Sequence, residues 1–336
     1  MDIWQKLKGL NRPILIYGMG NGAELMIKQL EKYSITVQGF FASDDFVRGQ
    51  YFLGKRVMTF KEAKALYPDM VALVAFGTQR QEVIDNILSL DALTFAPEVP
   101  VIEGPVFTYE FAQQHKEEIQ KAYSLLSDDF SKKVFKEIIE YKLDGQIQHL
   151  VNAESTEEEM LSLFSLNNNE SFLDLGAYNG DTVNKFVSYV QDYKQIVAVE
   201  PDIKNFNKLL KNTNQFKNIT CLNKAVSDKT GEMLFLQNGG RNSKKGGTQQ
   251  IECISIDSLK TDFSFIKMDI EGQEEAAISG GVNQIKKGAK MLVSAYHRSE
   301  DIFLLPILVN QINPDYKIFL RHLKYIPAWD TNYCFV

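Results

Sequence analysis

Unbroken apolar runs alternate with stretches of helical periodicity over residues 1–104. Residues 13–17 (PILIY) are apolar throughout and end in glycines, a pattern typical of a parallel strand buried on both faces. A helical pattern follows over residues 23–33, and residues 36–41 and 71–76 again have the character of strands. This alternation predicts a small Rossmann-like α/β domain with right-handed crossovers.

Residues 105–166 lack strand character and are rich in Glu, Lys, Gln and Leu. Within them, residues 130–143 place Phe, Val, Ile and Leu at helical spacing, which predicts an amphipathic helix. We interpret this region as a helical connector that packs on a neighbouring domain. A lid over a substrate site is the alternative interpretation.

Residues 167–336 return to the α/β pattern, with a further set of apolar stretches of strand length. The predicted strands are residues 171–175, 196–200, 219–223, 263–268, 290–295, 316–320 and 332–336. Residues 232–237 and 249–256 predict an antiparallel pair inserted between the third and fourth of these strands. The joining residues 238–248 (NGGRNSKKGGT) are dense in Gly, Asn and Lys, so we expect a mobile loop.

The composition is that of an ordinary globular protein, and 336 residues are enough for two or three domains. The net charge of −6 argues against a nucleic-acid partner held mainly through its phosphates, which needs a basic face. Cys221, Cys253 and Cys334 follow no metal or disulfide spacing, and no apolar run approaches the length of a transmembrane helix. We therefore expect a cytoplasmic protein without a transmembrane segment.

Residues 172–182 (FLDLGAYNGDT) carry the strongest chemical signal, because an apolar strand there leads directly into a glycine-containing turn. In a parallel sheet, ligands bind beyond the carboxyl ends of the strands, near the point where strand order reverses. Gly176 and Gly180 remove side chains where the backbone must approach a ligand closely. Asp174 is placed either to anchor this loop or to meet an ammonium group of the ligand.

The acids of this turn predict which kind of ligand it binds. A dinucleotide would place phosphate on the following helix N-terminus, whereas this turn carries Asp174 and Asp181, with Thr182 as a candidate helix cap. S-adenosylmethionine has no phosphate and carries an ammonium and a sulfonium group, so it suits these acids better. Glu200 ends the next predicted strand, 24 residues after Gly176, where a carboxylate can accept both ribose hydroxyls. The alternative is that these are strand-end acids of a generic nucleotide-binding fold.

Several blocks of residues 170–336 also match a known family. They are residues 172–182, 198–202 (AVEPD), 222–232 (LNKAVSDKTGE), 255–259 (SIDSL) and 265–281 (FIKMDIEGQEEAAISGG). On these blocks the sequence resembles the FkbM-type methyltransferases, which use S-adenosylmethionine and act chiefly on hydroxyl oxygens. Residues 295–306 (AYHRSEDIFLLP) and 316–323 (YKIFLRHL) resemble a subgroup of the family found beside polysaccharide-synthesis enzymes.

The resemblance implies a class I methyltransferase fold, with a seven-stranded, mostly parallel sheet and an antiparallel last strand. It implies S-adenosylmethionine as the cofactor and an O-methyltransferase that modifies a sugar hydroxyl during the assembly of a polysaccharide or glycolipid. Ala225, or its backbone, should lie near the adenine. The expected cofactor-binding residues are Asp174, Gly176, Ala177, Gly180, Asp181, Thr182, Glu200 and Ala225.

Methyl transfer to a hydroxyl needs a group that removes the hydroxyl proton. We favour His297, after the fifth strand, as this general base, because the pKa of an unperturbed histidine lies near neutrality. A hydrogen-bonded histidine at the rim of the site is the competing interpretation. Asp269 is the second candidate, as base, acceptor-orienting group or metal ligand, and Glu271 could share an ion with it. The sequence leaves a metal requirement open, and we expect Lys267 to fix the nearby acids.

A second glycine-rich turn follows the first predicted strand of the chain. Residues 18–23 (GMGNGA) fit the pattern G-x-G-x-x-A, and Asp44 and Asp45 come after the second strand. Residues 52–57 (FLGKRV) and 74–79 (VAFGTQ) add a resemblance to the small Rossmann-like domain at the N-terminus of bacterial sugar acyltransferases.

Two hypotheses follow for this first domain. One is a nucleotide-sugar or cofactor site, which would make a nucleotide-sugar-binding or -processing protein the alternative function of the chain. The other is a docking or dimerisation module that binds no ligand and forms a homo-oligomer. Ala42 stands where the acyltransferase group commonly places an acid, which weakens the first hypothesis.

Overall fold

The computed structural model describes residues 1–100, 102, 104–236, 244–245 and 249–336, which form two compact units. Unit 1 consists of Met1–Glu117, Lys132–Ser155 and His322–Asp330, and unit 2 of Glu118–Ser131, Thr156–Arg321 and Thr331–Val336. Parts of the predicted helical connector therefore belong to each unit, and the division into three successive regions stays a prediction. Within the described ranges, none of the helices combines the length and the apolar character that crossing a bilayer requires.

The secondary structure alternates between strands and helices along most of the chain. The strands are β1 Ile14–Tyr17, β2 Val37–Ala42, β3 Tyr51–Phe52, β4 Lys55–Thr59, β5 Val71–Val74, β6 Leu93–Phe95, β7 Glu154–Ser155, β8 Ser171–Leu175, β9 Gln195–Val199, β10 Ile219–Leu222, β11 Ala225–Val226, β12 Gly231–Leu236, β13 Lys244–Lys245, β14 Gln249–Ile254, β15 Phe265–Met268, β16 Lys290–Ser294, β17 Ile318–Leu323 and β18 Thr331–Phe335. The helices are α1 Ile3–Gly9, α2 Asn21–Lys32, α3 Phe60–Leu66, α4 Gln81–Leu88, α5 Tyr109–Gln114, α6 Lys116–Ser124, α7 Asp129–Asp144, α8 Ile147–Ala153, α9 Glu157–Ser162, α10 Asp181–Tyr189, α11 Ile203–Thr213, α12 Glu274–Ser279, α13 Val282–Lys286 and α14 Asp301–Ile312.

The sheet of unit 1 has the strand order β3-β4-β2-β1-β5-β6 and is parallel except for the short edge strand β3. Every residue of β1 and β5 is buried, as expected of strands covered on both faces. Helix α2 buries Ala23, Met26 and Leu30 against this sheet, at the spacing of one helical face. The predicted strands at residues 13–17, 36–41 and 71–76 are therefore present.

The glycine-rich turn of unit 1 follows β1 and leads into α2. Gly18 and Gly20 have φ angles of +123° and +103°, a region that side chains rarely adopt. A Cβ atom on Gly22 would lie 2.2 Å from the carbonyl oxygen of Ala75, just beyond β5. Backbone geometry thus requires glycine at positions 18 and 20 of the G-x-G-x-x-A pattern, and close packing requires it at position 22.

The main sheet of unit 2 has the strand order β10-β9-β8-β15-β16-β18-β17. Its pairs from β10 to β16 are parallel, and β18 runs antiparallel to β16. The seven predicted strands are all present, with ends shifted by at most three residues, and the mostly parallel sheet with an antiparallel last strand is confirmed. A short strand that was not predicted, β7, pairs with His322 and Leu323, and all of these residues belong to unit 1.

The order of strands reverses between β8 and β15 in the middle of this sheet. From β8 the chain first builds outward through β9 and β10, and later returns to place β15 and β16 on the other side of β8. The carboxyl ends of β8 and β15, at Leu175 and Met268, thus meet at the switch point where such sheets bind their ligands.

A second, smaller sheet of unit 2 has the order β11-β14-β12-β13. Strands β12 and β14 pair antiparallel, which confirms the inserted pair predicted at residues 232–237 and 249–256. The loop predicted to be mobile, residues 238–248, lies outside the described residues except for Lys244–Lys245. Cys221, Cys253 and Cys334 carry free thiols.

The close packing at Gly22 predicts that Gly22→Ala destabilises unit 1. We expect a loss of about 1 to 3 kcal/mol in the free energy of unfolding, because the new methyl group overlaps a backbone oxygen that cannot move freely. Gly9→Ala is the matched control, since a Cβ atom there meets nothing within 4 Å. Urea unfolding followed by tryptophan fluorescence reports on this unit, because Trp4 and Trp329 both belong to it. Equal midpoints for the two variants would contradict the packing argument.

Candidate active site

A glycine bend directly after β8 forms the centre of the site. Gly176 has a φ of +79°, and a Cβ atom on it would lie 1.9 Å from the carbonyl oxygen of Asp269. The backbone N–H groups of Gly176 and Ala177 both donate to the carbonyl oxygen of Val199, at 3.0 Å. The bend is therefore held between the ends of β9 and β15, in a space that only glycine fits.

The bend continues into the first turn of α10. Tyr178 has a φ of +45°, and Gly180 takes a left-handed conformation as the N-cap residue of the helix. The expectation that Thr182 caps this helix is wrong. Thr182 lies inside the first turn, and its backbone N–H donates to Asp181 Oδ1 at 2.9 Å. Because the left-handed Gly180 is the N-cap residue, α10 begins at Asp181, two residues before the start that a cap at Thr182 would give.

Glu200 lies directly after β9 and is attached to the glycine bend. Its Oε2 accepts a hydrogen bond from the backbone N–H of Tyr178, and its Oε1 accepts one from Asp202, each at 2.9 Å. The side chain is buried, and this burial raises the pKa of Glu200 to about 7 although both hydrogen bonds oppose the rise. The structure thus brings together the glycine bend after β8 and Glu200 after β9, the two parts of the predicted cofactor pocket.

Asp174 lies within β8, beneath the bend, and is fully buried. Neither of its carboxylate oxygens accepts a hydrogen bond from the described residues. Lys267 Nζ lies 3.4 Å from Asp174 Oδ1, at ion-pair distance. Burial raises the pKa of Asp174, and the charge of Lys267 opposes this rise only in part. A buried carboxylate without hydrogen bonds is rare enough in folded proteins to require a specific explanation.

Lys267, in β15, is the cation that this group of acids shares. Its ammonium group donates to the carbonyl oxygen of Gly176 at 3.1 Å and lies 3.8 Å from Asp269 Oδ2. Burial lowers the pKa of Lys267, but the charges of Asp174 and Asp269 outweigh burial and raise it, so the side chain stays charged. The expectation that Lys267 fixes the nearby acids agrees with these contacts.

Asp269 follows β15 at the mouth of the site, and its side chain is 35% exposed. The hydroxyl of Tyr296 donates to Asp269 Oδ1 at 3.0 Å, and His297 Nε2 lies 3.3 Å from the same oxygen. Burial alone would raise the pKa of Asp269, but the charges and hydrogen bonds of Lys267, His297 and Tyr296 hold it below its ordinary value. The carboxylate is therefore ionised, oriented and open to solvent.

His297 is almost completely buried, with 1% of its side chain exposed. Its Nδ1 lies 3.0 Å from Glu274 Oε1, and its Nε2 faces Asp269 and, at 3.8 Å, Glu271 Oε2. Burial lowers the pKa of His297, but the charges of Glu274 and Asp269 outweigh burial and raise it well above the ordinary histidine value. The general-base role stays a prediction, and these contacts favour a different one, because a protonated imidazole has no lone pair to receive a proton.

Three further residues of the site were not predicted. Tyr296 bonds Asp269, while Glu274 and Asp301 are buried beside His297. Glu274 Oε1 accepts a hydrogen bond from the backbone N–H of Ile270 at 2.9 Å, and burial raises the pKa of Asp301 to about 8. Glu274 and Tyr296 adjoin predicted residues in the sequence and could have been found from that position, whereas Asp301 opens a helix and carries no such signal.

Ala225 lies in the smaller sheet, where it pairs with Cys253 in β14 and is buried. The segment that leads into it is attached to the predicted cofactor pocket, because Asn223 Nδ2 donates to the backbone oxygens of Glu200 and Pro201 at 2.9 Å. The expected position of Ala225 near an adenine stays a prediction.

Comparisons with known proteins agree with this geometry. Residues 174–325 match the family model of the FkbM methyltransferase domain. The crystal structure of methyltransferase FkbM from Methylobacillus flagellatus KT is similar over 99% of this chain and 92% of its own, with a TM-score of 0.75 and 22% sequence identity. At this identity the likeness shows the fold alone. Residues 174–325 are therefore similar to the FkbM methyltransferase domain, in agreement with the sequence blocks, and this match covers less than half of the chain.

Two other crystal structures are similar only over about half of this chain. Precorrin-6y C5,15-methyltransferase from Geobacter metallireducens GS-15 has a TM-score of 0.35 and 11% identity, over 55% of this chain and 91% of its own. Aeropyrum pernix fibrillarin, in complex with S-adenosyl-L-methionine, has a TM-score of 0.33 and 15% identity, over 53% and 73%. These lower scores carry no argument about this chain, and no curated protein matches its sequence.

Because the ammonium group of Lys267 lies close to both Asp174 and Asp269, we predict that Lys267→Met destabilises unit 2 strongly. Methionine fills a similar volume but leaves Asp174 buried without a counter-charge, and breaking such a buried pair costs about 3 to 5 kcal/mol. Lys287→Met is the matched control, because Lys287 pairs with Asp262 at the exposed surface, where ion pairs contribute little. Thermal unfolding followed by circular dichroism measures both variants. If Lys267→Met unfolds at the same temperature as the control, the charge balance described above is wrong.

Proposed function

We propose that unit 2 binds S-adenosylmethionine at the glycine bend and transfers its methyl group to a hydroxyl oxygen. One observation carries the proposal: a fully buried carboxylate, Asp174, has unbonded oxygens beneath a bend to which a second carboxylate, Glu200, is attached. A ligand that offers an ammonium group and two neighbouring hydroxyls satisfies both acids at once. S-adenosylmethionine is such a ligand, and NAD, with its phosphates, is not.

The cofactor residues divide by the part of the ligand that they meet. We assign the ammonium group to the side of Asp174 and Gly176, and the ribose hydroxyls to Glu200, whose oxygens each keep a lone pair beyond their backbone hydrogen bonds. The backbone of Ala177 and Gly180 would line the bend, and Ala225 the adenine. Asp181 and Thr182 complete the set at the start of α10.

Methyl transfer would take place at the mouth, beside Asp269. The sulfur–carbon bond of the sulfonium breaks as the acceptor oxygen forms a bond to the same carbon, and the products are S-adenosylhomocysteine and a methyl ether. We assign to Asp269 the removal of the hydroxyl proton, because it is the carboxylate of this cluster that is both oriented and exposed. Tyr296 and His297 would hold that carboxylate in position.

The acceptor that we propose is a sugar hydroxyl, in the assembly of a polysaccharide or glycolipid. This part of the proposal is supported by the resemblance of residues 295–306 and 316–323 to methyltransferases found beside polysaccharide-synthesis enzymes. It concerns the identity of the acceptor only, so the assignment of the cofactor site does not depend on it.

Titration with S-adenosylhomocysteine tests the cofactor site. Because ribose hydroxyls bond the ionised carboxylate more strongly, binding should lower the pKa of Glu200 from about 7 and release a proton. We expect affinity to rise as the pH approaches 7 from below and to level off above it. Glu200→Gln should remove most of this dependence and weaken binding by about tenfold or more, the worth of a hydrogen bond to a charged group.

Calorimetry in two buffers of different ionisation enthalpy measures the affinity and the released proton together. Asp174→Asn should also weaken binding, while Asp262→Asn, at an exposed ion pair, is the control that leaves it unchanged. Binding of NAD in preference to S-adenosylhomocysteine, or an affinity that falls as the pH rises, would refute the assignment.

The roles of Asp269 and His297 can be separated by turnover. Asp269→Asn should retain S-adenosylhomocysteine binding and lower turnover about 100- to 10,000-fold, the usual worth of a positioned acid or base. His297→Gln keeps an N–H donor for Asp269 and should retain clearly more activity than His297→Ala. Methylation of a panel of sugars and nucleotide-sugars, with catechol as the non-sugar comparison, is measured by mass spectrometry. Equal inactivity of the two His297 variants would instead support His297 as the base.

A further inference from the structure

A compact group of buried side chains lies on the far side of His297 from Asp269. It consists of Glu274, His297 and Asp301, and one oxygen or nitrogen atom from each lies within 4.8 Å of those of the other two. Glu274 opens α12, His297 follows β16, and Asp301 opens α14, so three separate elements converge on one point. We name this group the inner cluster.

Two polar atoms of the inner cluster have unmet bonding capacity. Glu274 Oε2 and His297 Nδ1 have no hydrogen-bond partner within the described ranges, and both side chains are 1% exposed. His297 Nδ1 lies 3.0 Å from the other carboxylate oxygen, Glu274 Oε1, at ion-pair distance. Buried polar atoms left in this state cost free energy, which a suitable ligand between them would recover.

We propose that the inner cluster binds a divalent transition-metal ion. Two carboxylates and a neutral imidazole supply two negative charges and three donor atoms, which a divalent cation balances. The separation of 3.0 Å is suited to two neighbouring ligands that each lie about 2.1 Å from one ion. The mixed nitrogen and oxygen donors favour zinc or manganese over magnesium or calcium, which prefer oxygen ligands alone.

Such an ion would act on the mouth of the site through the imidazole ring. With Nδ1 bound to the ion, Nε2 carries the proton and donates to Asp269 Oδ1, which lies 3.3 Å away. The proposal concerns ion binding alone and does not rest on methyl transfer.

Metal analysis of the full chain tests the proposal. The protein is stripped with a chelator, incubated with manganese or zinc, freed of unbound ion and analysed by mass spectrometry, with thermal unfolding in parallel. The wild type should retain about one ion per chain and unfold at a higher temperature with it. Asp301→Asn and Glu274→Gln should lose this ion and the shift. Glu275→Gln, an exposed neighbour on α12, and Asp315→Asn, also exposed, are the matched controls.

Two outcomes would overturn the proposal. If folded wild-type protein retains neither manganese nor zinc, the carboxylates and the imidazole of the inner cluster are held by shared protons and not by a metal ion. If all variants retain the ion equally, the ion binds elsewhere. A spectroscopic measurement covers variants that fail to fold: manganese bound to the wild type should show electron-spin coupling to a histidine nitrogen, and its absence would refute the site. S-adenosylhomocysteine titration of the metal-free protein separates this result from any failure of the proposed function.

Discussion

The ammonium group of Lys267 is the contact on which the rest of the site depends. It joins the ends of two central strands, because it donates to the backbone of Gly176 and lies close to the carboxylates of Asp174 and Asp269. Without it, two acids at the switch point would repel each other in a region of low polarity. With it, Asp174 lies buried at ion-pair distance from Lys267 and Asp269 stands ionised at the mouth, so a single cation balances both carboxylates.

This charge balance also distinguishes the pocket from that of a dinucleotide-binding domain. A buried site with more acid than base attracts a cationic ligand, whereas the phosphates of a dinucleotide would meet Asp174 and Asp181 at unfavourable range. Glu200 would add to this proposed preference, because burial raises its pKa to about 7 and a hydroxyl-bearing ligand would stabilise the ionised form. The same fold can therefore hold different ligands, and the charges beneath the glycine bend decide between them.

Sequence patterns predicted the central features because those features are local. The strands of both large sheets are continuous apolar runs, and the bend after β8 is encoded by Gly176 and Gly180 within a few residues. The inner cluster could not be predicted, because it joins residues from three elements whose meeting depends on the whole sheet order. The glycines after β1 had two interpretations, and the structure adds a packing reason for one of them, because Gly22 approaches the backbone of Ala75 closely.

The role of His297 follows from its surroundings rather than from the pKa of an unperturbed histidine. A general base must present a free lone pair to solvent or substrate, yet this ring is buried and its two nitrogens face carboxylates on opposite sides. Whether Nδ1 carries a proton toward Glu274 or a metal ion, Nε2 keeps its proton and directs it at Asp269. Both states thus give the same hydrogen bond at the mouth, and the ring serves to orient the partly exposed carboxylate of Asp269.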